Sequence, residues 1–159
     1  MVFANRHQAA DQLAVALEAY KGQNLLILAI PRGAVPMGQQ LARALGGELD
    51  VVLVRKLRAP FNPEFALGSI DESGWTYIAD YAESAGGTSS YLEEAKKAQL
   101  ATIKKRRAQY TPLRPPIDPA GRIVIVVDDG LATGATMISA LHALREKKPA
   151  KLVCAVPVA

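Results

Sequence analysis

Four short apolar runs punctuate the chain: Leu25–Ile30, Val51–Val54, Ile123–Val127 and Leu152–Val156. They contain β-branched residues and do not alternate with polar ones. This pattern is typical of strands that are buried on both faces of a parallel sheet. We therefore expect the four runs to be strands.

Helical patterns lie between some of these runs. Apolar residues recur at intervals of three and four along Ala10–Tyr20, Met37–Leu45 and Met137–Leu144. Pro36 suits a first helical turn, and Gly46-Gly47 suits a helix end. Strands that alternate with helices indicate βαβ units with right-handed crossovers. The sequence thus predicts an α/β fold with a parallel-stranded sheet flanked by helices.

The middle of the chain has a different pattern. Arg58–Gly87 is rich in proline and glycine, which predicts a loop or hairpin excursion, a small hood on the core. Tyr91–Tyr110 predicts a long polar helix, and the four prolines of Thr111–Gly121 predict an extended connector. We expect a single domain over 1–159, in which residues 57–120 are inserted into the α/β core.

Composition narrows the class of protein. The chain has 159 residues, half of them apolar, which suits one domain with its own core. Its longest apolar run, Leu25–Pro31, is far shorter than the ~20 residues of a membrane span. We expect no secretory leader, since no charged and then apolar segment is visible after Met1, and the single Cys154 excludes an internal disulfide or a cysteine-based zinc site. We expect a cytoplasmic protein with no membrane partner.

The net charge of +4 is concentrated in one segment. Tyr91–Tyr110 holds six of the 19 basic residues but only two of the 15 acidic ones, so the rest of the chain is balanced. A lone basic helix without interleaved aromatic residues is typical of a solvated face, although it also suits a dimer interface or attraction of an anionic ligand. We do not expect nucleic acid as the partner.

The segment Val124–Thr136 carries the most chemistry, and it reads VIVVDDGLATGAT. An apolar strand places Asp128 and Asp129 at its carboxyl end, where parallel sheets bind ligands. The following loop of small residues leads into a helix, whose N-terminal N–H groups favour an anion. Paired carboxylates beside an anion site suit a ligand that also has hydroxyl groups or brings Mg²⁺. A phosphorylated sugar satisfies both requirements.

A structural interpretation competes with this one. An isolated Asp-Asp-Gly is more often turn or capping chemistry, but the full thirteen-residue pattern favours a ligand site. The chain lacks the kinase-type P-loop, the dinucleotide fingerprint and the serine-hydrolase elbow.

Val124–Thr136 resembles the motif that binds phosphoribosyl pyrophosphate (PRPP) in the type I phosphoribosyltransferases: four apolar residues, two acidic ones and a T-G-[GA]-T type loop. Five further segments are similar to a bacterial subgroup of that family: Phe3-x-Asn5-Arg6, Ala29–Pro36, Val54–Leu57, Pro60–Glu64 and Ala155–Val158. Such relatives usually continue beyond the last segment, whereas this sequence ends at Ala159. We therefore expect a chain shortened at its C-terminus, or a last strand covered by a partner in a homo-oligomer.

The resemblance implies roles for the motif. Asp128 and Asp129 would contact the ribose hydroxyls, with Mg²⁺ carried mainly by the substrate and lying near them. The 5′-phosphate would be held by the loop and the helix start, which comprise Gly130, Ala132, Thr133, Gly134, Ala135 and Thr136.

Basic residues are expected to face the pyrophosphate. Arg32 and Gly33 follow the first strand, where the family has its pyrophosphate loop. Arg55 and Lys56 are expected to end the second strand at the same edge, although two solvated charges are an equally good interpretation of Arg55. The expected catalytic residues are Asp128, Asp129, Arg32 and Lys56.

Weaker candidates have ordinary structural interpretations. For Arg6 a surface role is favoured over covering the site, and for Glu64 a turn or cap is favoured over a catalytic base. Tyr77 suits base stacking and hairpin packing equally. Cys154 lies in an apolar run and is expected to be a core thiol.

The resemblance implies an enzyme that transfers ribose 5-phosphate from PRPP to a nitrogenous acceptor, such as a nucleobase, and releases pyrophosphate in a Mg²⁺-dependent reaction. The alternative is a regulatory module that binds PRPP or a nucleotide without turnover.

Overall fold

The computed structural model describes residues 4–130 and 134–157. The contacts divide them into two compact units. The parallel-sheet unit comprises the described parts of 4–52, 116–137 and 144–157, and the antiparallel-sheet unit comprises 53–115 and 138–143. The prediction of a single domain is not tested by this division and stays a prediction.

The parallel-sheet unit contains four strands and two complete helices, α1 and α2, together with both ends of a third helix, α4. Its elements in chain order are α1 (Arg6–Ala16), β1 (Leu26–Ala29), α2 (Val35–Leu45), β2 (Glu48–Val51), β6 (Ile123–Val127), α4 (Ala135–Arg145) and β7 (Lys151–Ala155), with a 3₁₀ turn at Glu18–Tyr20. The strand order is β2-β1-β6-β7, and every pairing is parallel. This arrangement confirms the predicted α/β fold with a parallel sheet flanked by helices.

The core of this unit forms because its central strands are apolar throughout. All four residues of β1 are buried, as are the last four of β6. The apolar face of α2 packs against the sheet through Met37, Leu41 and Leu45. Pro36 lies in the first turn of α2, and Gly46 ends the helix with a left-handed φ of 70°. Both predicted helix signals are therefore confirmed.

The antiparallel-sheet unit has strand order β3-β4-β5. Its strands are β3 (Val54–Ala59), β4 (Asn62–Asp71) and β5 (Thr76–Ile78), and its helix is α3 (Ser89–Tyr110). Buried Ala59, Leu67 and Ala82 form its small core. The middle turns of α4, residues 138–143, belong to the same unit.

The prediction of a loop or hairpin excursion at Arg58–Gly87 is confirmed in its hairpin form, since β4 pairs antiparallel with β3 and with β5, but the ten-residue length of β4 was not predicted. The first four residues of β4 are exposed, so an apolar pattern is missing there. Position 68, inside β4, requires glycine because a Cβ there would come within 2.0 Å of the Tyr77 carbonyl oxygen. From the sequence alone, a glycine that permits close strand pairing cannot be distinguished from a glycine in a loop.

Helix α3 begins where Thr88 caps it, since the Thr88 hydroxyl accepts from the Tyr91 N–H at 3.3 Å. The predicted polar helix Tyr91–Tyr110 is confirmed, and Ile103 is its one buried residue. Among the residues that the structure describes, no helix combines the length and the apolar character needed to cross a membrane.

Candidate functional site

The candidate site lies at the carboxyl edge of the parallel sheet. Ala29 and Val127 pair at the ends of β1 and β6, and the Ile30 N–H donates to the Val127 carbonyl at 2.9 Å. The chain segments that follow these strands therefore leave the sheet at one edge. Arg32 and Gly33 lie on the first segment, and the two acidic residues lie on the second.

Gly33 lies against the carboxylate of Asp129. A Cβ on Gly33 would come within 2.2 Å of Asp129 Oδ2. Such a distance is too short for any side chain, so this approach of loop and carboxylate requires glycine. The structure thus brings the two loops that were predicted to bind pyrophosphate and ribose into direct contact.

Asp128 is partly buried beside Asp129. Its Oδ1 accepts from the Asp129 N–H at 2.8 Å, and its own N–H donates to the Ala155 carbonyl at 3.2 Å. Burial raises the pKa of Asp128, and the charge of Asp129 adds to the increase, although the backbone hydrogen bond opposes it. The pair therefore contains one carboxyl, that of Asp128, whose ionisation its surroundings disfavour.

Arg6 contacts this acid pair, which the sequence interpretation did not favour. Its Nη2 lies 3.0 Å from Asp129 Oδ2, although the two residues are 123 positions apart. Arg6 is the first residue of α1, whose start is fixed by Asn5, since Asn5 Oδ1 accepts from the Gln8 N–H at 2.9 Å. The available signal was the Phe3-x-Asn5-Arg6 segment, in which a helix-capping asparagine precedes a cation.

The segment predicted to bind the 5′-phosphate is described only at its ends. Gly134 has a φ of 77° and precedes α4, whose first turn contains Ala135 and Thr136. Backbone N–H groups in the first turn of a helix favour anions. Gly130 directly follows the acid pair, and the predicted contacts of Ala132 and Thr133 lie outside the described residues.

Arg32 is exposed on the loop between β1 and α2. Its carbonyl accepts from the Val35 N–H at 3.1 Å, and the peptide bond between Pro31 and Arg32 is cis. Arg32 lies on the same loop as Gly33, which contacts Asp129. Its predicted contact with pyrophosphate stays a prediction.

The prediction that Arg55 and Lys56 end the second parallel strand was wrong. β2 stops at Val51, and β3 of the antiparallel sheet begins at Val54, after Val52 and Leu53, which lie in neither strand. The run at 51–54 is therefore divided between two sheets. Lys56 pairs with Ser69 within that sheet. The parallel-sheet unit therefore contains neither cation, and their binding of PRPP stays a prediction.

Arg55 is held by helix α3. Its Nε donates to Gln99 Oε1 at 2.9 Å. Burial lowers the pKa of Arg55, and the charges of Arg106 and Arg58 lower it further. This side chain is consequently not a simple solvated charge.

The remaining candidates have structural contacts. Asn62 Oδ1 accepts from the Glu64 N–H at 3.2 Å, as in a local turn. The Tyr77 ring stacks on His142 with centroids 5.0 Å apart, which supports the packing alternative. Cys154 is exposed on the outer strand β7, so its assignment to the core was wrong. Partial desolvation by its surroundings and the charge of nearby Asp128 both raise the pKa of the Cys154 thiol.

The donor set fits a hard cation that arrives with a phosphorylated substrate. Asp128 and Asp129 offer carboxylate oxygens, which Mg²⁺ prefers, and Mg²⁺ commonly binds one or two carboxylates together with substrate phosphates. Within residues 4–130 and 134–157, no group of three or more His, Cys, Asp or Glu side chains is placed to hold a metal ion.

The phosphoribosyl transferase domain family matches residues 3–159, and the chain belongs to that family. Two Mycobacterium tuberculosis proteins, from two strains and both provisionally named phosphoribosyl transferases, are 37% identical to it over 99% of its length. The chain spans 36% of the length of these curated relatives.

Solved structures show that the fold is shared. The protein TT1426 from Thermus thermophilus is 44% identical, with a TM-score of 0.86 over 98% of this chain and 74% of that chain. A purine phosphoribosyltransferase from Pyrococcus horikoshii is 18% identical, with a TM-score of 0.56 over 98% of this chain and 74% of that chain, a likeness in fold alone. The predicted family is therefore confirmed, and the chain is a phosphoribosyltransferase domain.

Proposed function

We propose that this domain binds PRPP at the carboxyl edge of its parallel sheet and transfers ribose 5-phosphate to a nitrogenous acceptor. The observation that carries the proposal is the contact between Gly33 and Asp129, where a Cβ would lie 2.2 Å from the carboxylate oxygen. PRPP carries pyrophosphate and hydroxyl groups on neighbouring ribose carbons. The Gly33 loop would lie beside the pyrophosphate and the Asp129 carboxylate beside the hydroxyls, so their contact suits groups on neighbouring carbons.

The acid pair would orient the sugar. Asp128 and Asp129 are acceptors when ionised, so they suit the hydroxyl donors of a ribose. The first turn of α4, which contains Thr136, offers N–H groups and a hydroxyl to the 5′-phosphate. The substrate would thus be fixed at its hydroxyls and at its phosphate, and C1 would be left open to attack.

In the proposed reaction, the bond between ribose C1 and the pyrophosphate oxygen breaks, and the electron pair leaves with pyrophosphate. The acceptor nitrogen donates a lone pair to C1, and its proton passes to solvent. The positive charge that develops on the ribose lies beside Asp128 and Asp129, which favours the transition state electrostatically. Arg32, exposed on the adjoining loop, suits the developing negative charge of the pyrophosphate.

Bound with the substrate, Mg²⁺ would neutralise part of the pyrophosphate charge, and Asp128 and Asp129 are the residues that would lie near it. The class of acceptor, a nitrogen nucleophile such as a nucleobase, follows from the family and is part of the proposal. A cytoplasmic location and a homo-oligomer also stay predictions.

Calorimetry with PRPP and Mg²⁺ tests the binding step. We expect saturable binding to the unaltered protein and at least about tenfold weaker binding to Asp128→Asn and Asp129→Asn, since each loses a charge-assisted hydrogen bond. Asp118→Asn is the matched control, because Asp118 is an exposed aspartate of the connector. Absence of saturable binding by the unaltered protein would refute the proposal.

A second experiment separates the enzyme from a regulatory module. Phosphorus NMR follows pyrophosphate release from PRPP while a panel of nucleobases is added one at a time. Release that depends on one base supports transfer. Tight PRPP binding without base-dependent release supports the module instead.

A further inference from the structure

Arg6 is poorly placed for a structural role. It is the first residue of α1, where its positive charge faces the positive end of the helix dipole and does not stabilise the helix. Its ion pair with Asp129 leaves the two side chains 64% and 36% exposed. Pairs of this exposure contribute little to stability. Stability therefore gives little reason for an arginine at this position.

The contacts of Arg6 lie within the candidate site. Its Nη2 is 3.0 Å from Asp129 Oδ2, and the same nitrogen would be 3.3 Å from a Cβ on Gly33. One carboxylate oxygen thus lies between the glycine of the first loop and the guanidinium of α1. Three separate chain segments, α1 and the two loops, meet at this oxygen.

Helix α1 is anchored, so Arg6 is not on a loose arm. Gln40 of α2 bridges to it: its Nε2 donates to the His7 carbonyl at 3.1 Å and to the Asp11 carboxylate, while its Oε1 lies 2.9 Å from His7 Nδ1. Ala9 and Ala10 of α1 are buried in the core. The guanidinium is therefore presented to Asp129 by a packed helix.

The acid pair needs such a partner. Asp128 and Asp129 are adjacent carboxylates that repel each other when both are ionised, and this repulsion favours rotation of the Asp129 carboxylate away from Asp128. A guanidinium on Oδ2 opposes this rotation. Because a carboxylate has about four lone-pair positions, one contact to Arg6 leaves acceptor positions for a hydroxyl.

We propose that Arg6 is a positioning residue that holds the Asp129 carboxylate in the orientation that accepts a ribose hydroxyl. The inference rests on the proposed function, because it assigns PRPP to this site. Arg6 would act through Asp129 and not through its own contact with the substrate.

The first test compares the affinity for PRPP with Mg²⁺ among Arg6 variants. We expect Arg6→Ala and Arg6→Gln to weaken binding about five- to tenfold, and Arg6→Lys to recover part of the loss, because lysine retains the charge without the planar fork. Arg43→Ala is the control, since Arg43 is an exposed arginine on the neighbouring helix α2. Thermal melts should agree among all four variants and the unaltered protein.

A double-mutant cycle shows whether Arg6 changes the affinity for PRPP through Asp129 or through its own contact with the substrate. If Arg6 acts through Asp129, the Arg6→Ala change should cause no further loss of affinity in the Asp129→Asn background. NMR titration up to millimolar PRPP keeps weak binding measurable. A full, additive loss in the double variant would mean that Arg6 binds the substrate directly, and this outcome overturns the inference.

Two other outcomes are distinct. Equal or tighter binding of PRPP by Arg6→Ala would also overturn the inference, because Arg6 would then merely occupy Asp129. Absence of PRPP binding by the unaltered protein would instead overturn the proposed function. The two failures are therefore distinguishable.

Discussion

In the parallel-sheet unit, polar residues are largely absent from the central strands and gather where those strands end. β1 is buried throughout, and the carboxylates, the glycine loop and Arg6 follow at the carboxyl edge. In the antiparallel-sheet unit, polar residues occur along the strands themselves. β3 carries Arg55, Lys56 and Arg58, and the first four residues of β4 are exposed.

One ion pair of each unit shows a related difference. Glu72 accepts from Arg107 in two hydrogen bonds, of 2.5 and 3.0 Å, and the paired side chains are 22% and 12% exposed. The Arg6–Asp129 pair is much more exposed. We infer that the Glu72–Arg107 pair serves stability, whereas the Arg6–Asp129 pair leaves its charges available for a ligand.

The largest effects are expected from substitutions of two glycines, one in each unit, which should affect stability in one case and ligand binding in the other. In Gly68→Ala, the new Cβ would lie 2.0 Å from a backbone oxygen, that of Tyr77, which cannot move without separating β4 from β5. In Gly33→Ala, the Cβ would lie 2.2 Å from a side-chain oxygen, which can rotate away. We expect Gly68→Ala to lower the free energy of unfolding by about 3 kcal/mol. Gly33→Ala should lower it by less than about 1 kcal/mol but weaken PRPP binding more than about tenfold.

Urea denaturation and calorimetry measure these two quantities. Gly74→Ala is the control, since Gly74 has a φ of 89° but open space around it, and its cost should be about 1 kcal/mol. The contrast is lost if Gly33→Ala destabilises the fold as much as Gly68→Ala does.

The second prediction concerns the ion pairs. Glu72→Gln removes a charge from a pair that is mostly shielded from solvent, so we expect a loss of about 2 kcal/mol in the free energy of unfolding. Glu93→Gln on α3 is the matched control, because the Glu93 side chain is 65% exposed in its pair with Lys96, and it should change stability by less than about 0.5 kcal/mol.

Arg6→Ala should resemble the Glu93 control in stability and differ from it in PRPP affinity. Chemical denaturation of the three variants under identical conditions provides the comparison. An equal loss of stability for Glu72→Gln and Glu93→Gln would remove the structural role that we assign to the shielded pair.

The same contrast explains what the sequence could predict. The strand at Ile123–Val127 was predicted with its observed bounds, and Leu25–Ile30 contains β1, because a strand buried on both faces is apolar at every position. The acid pair and Gly33 could be assigned to one edge because parallel strands end together. One apolar run thus predicts a buried strand, and it also predicts that the residues after the strand lie at the carboxyl edge of the sheet.

The missed features depend on contacts between distant residues. The run at Val51–Val54 is apolar throughout, and nothing local shows that the chain changes sheets within it. Gly68 has the appearance of a loop residue until Tyr77 is placed beside it. Arg6 meets Asp129 only after the sheet has formed, so its contact has no local signal beyond the helix cap before it.

The smallest expected effect concerns the pH dependence of stability at Asp128. Because burial raises the pKa of this carboxyl, the folded protein binds the proton more tightly than the unfolded chain does. The resulting stabilisation is present below the ordinary aspartate pKa of about 3.9 and is lost as the pH rises through the raised value. Asp128→Asn removes this dependence, so it should stabilise the fold at pH 7 by less than about 1 kcal/mol, since solvent screens a partly buried carboxyl.

Thermal melts from pH 3.5 to 7 test this sign. The gain of Asp128→Asn over the unaltered protein should grow with pH. The same Asp128→Asn variant should bind PRPP more weakly at pH 7, so stability and affinity would move in opposite directions at one residue. If Asp128→Asn instead loses stability as the pH rises, the Asp128 carboxylate stabilises the fold in its ionised form. Asp128 would then have a structural role like that of Glu72 in its pair with Arg107.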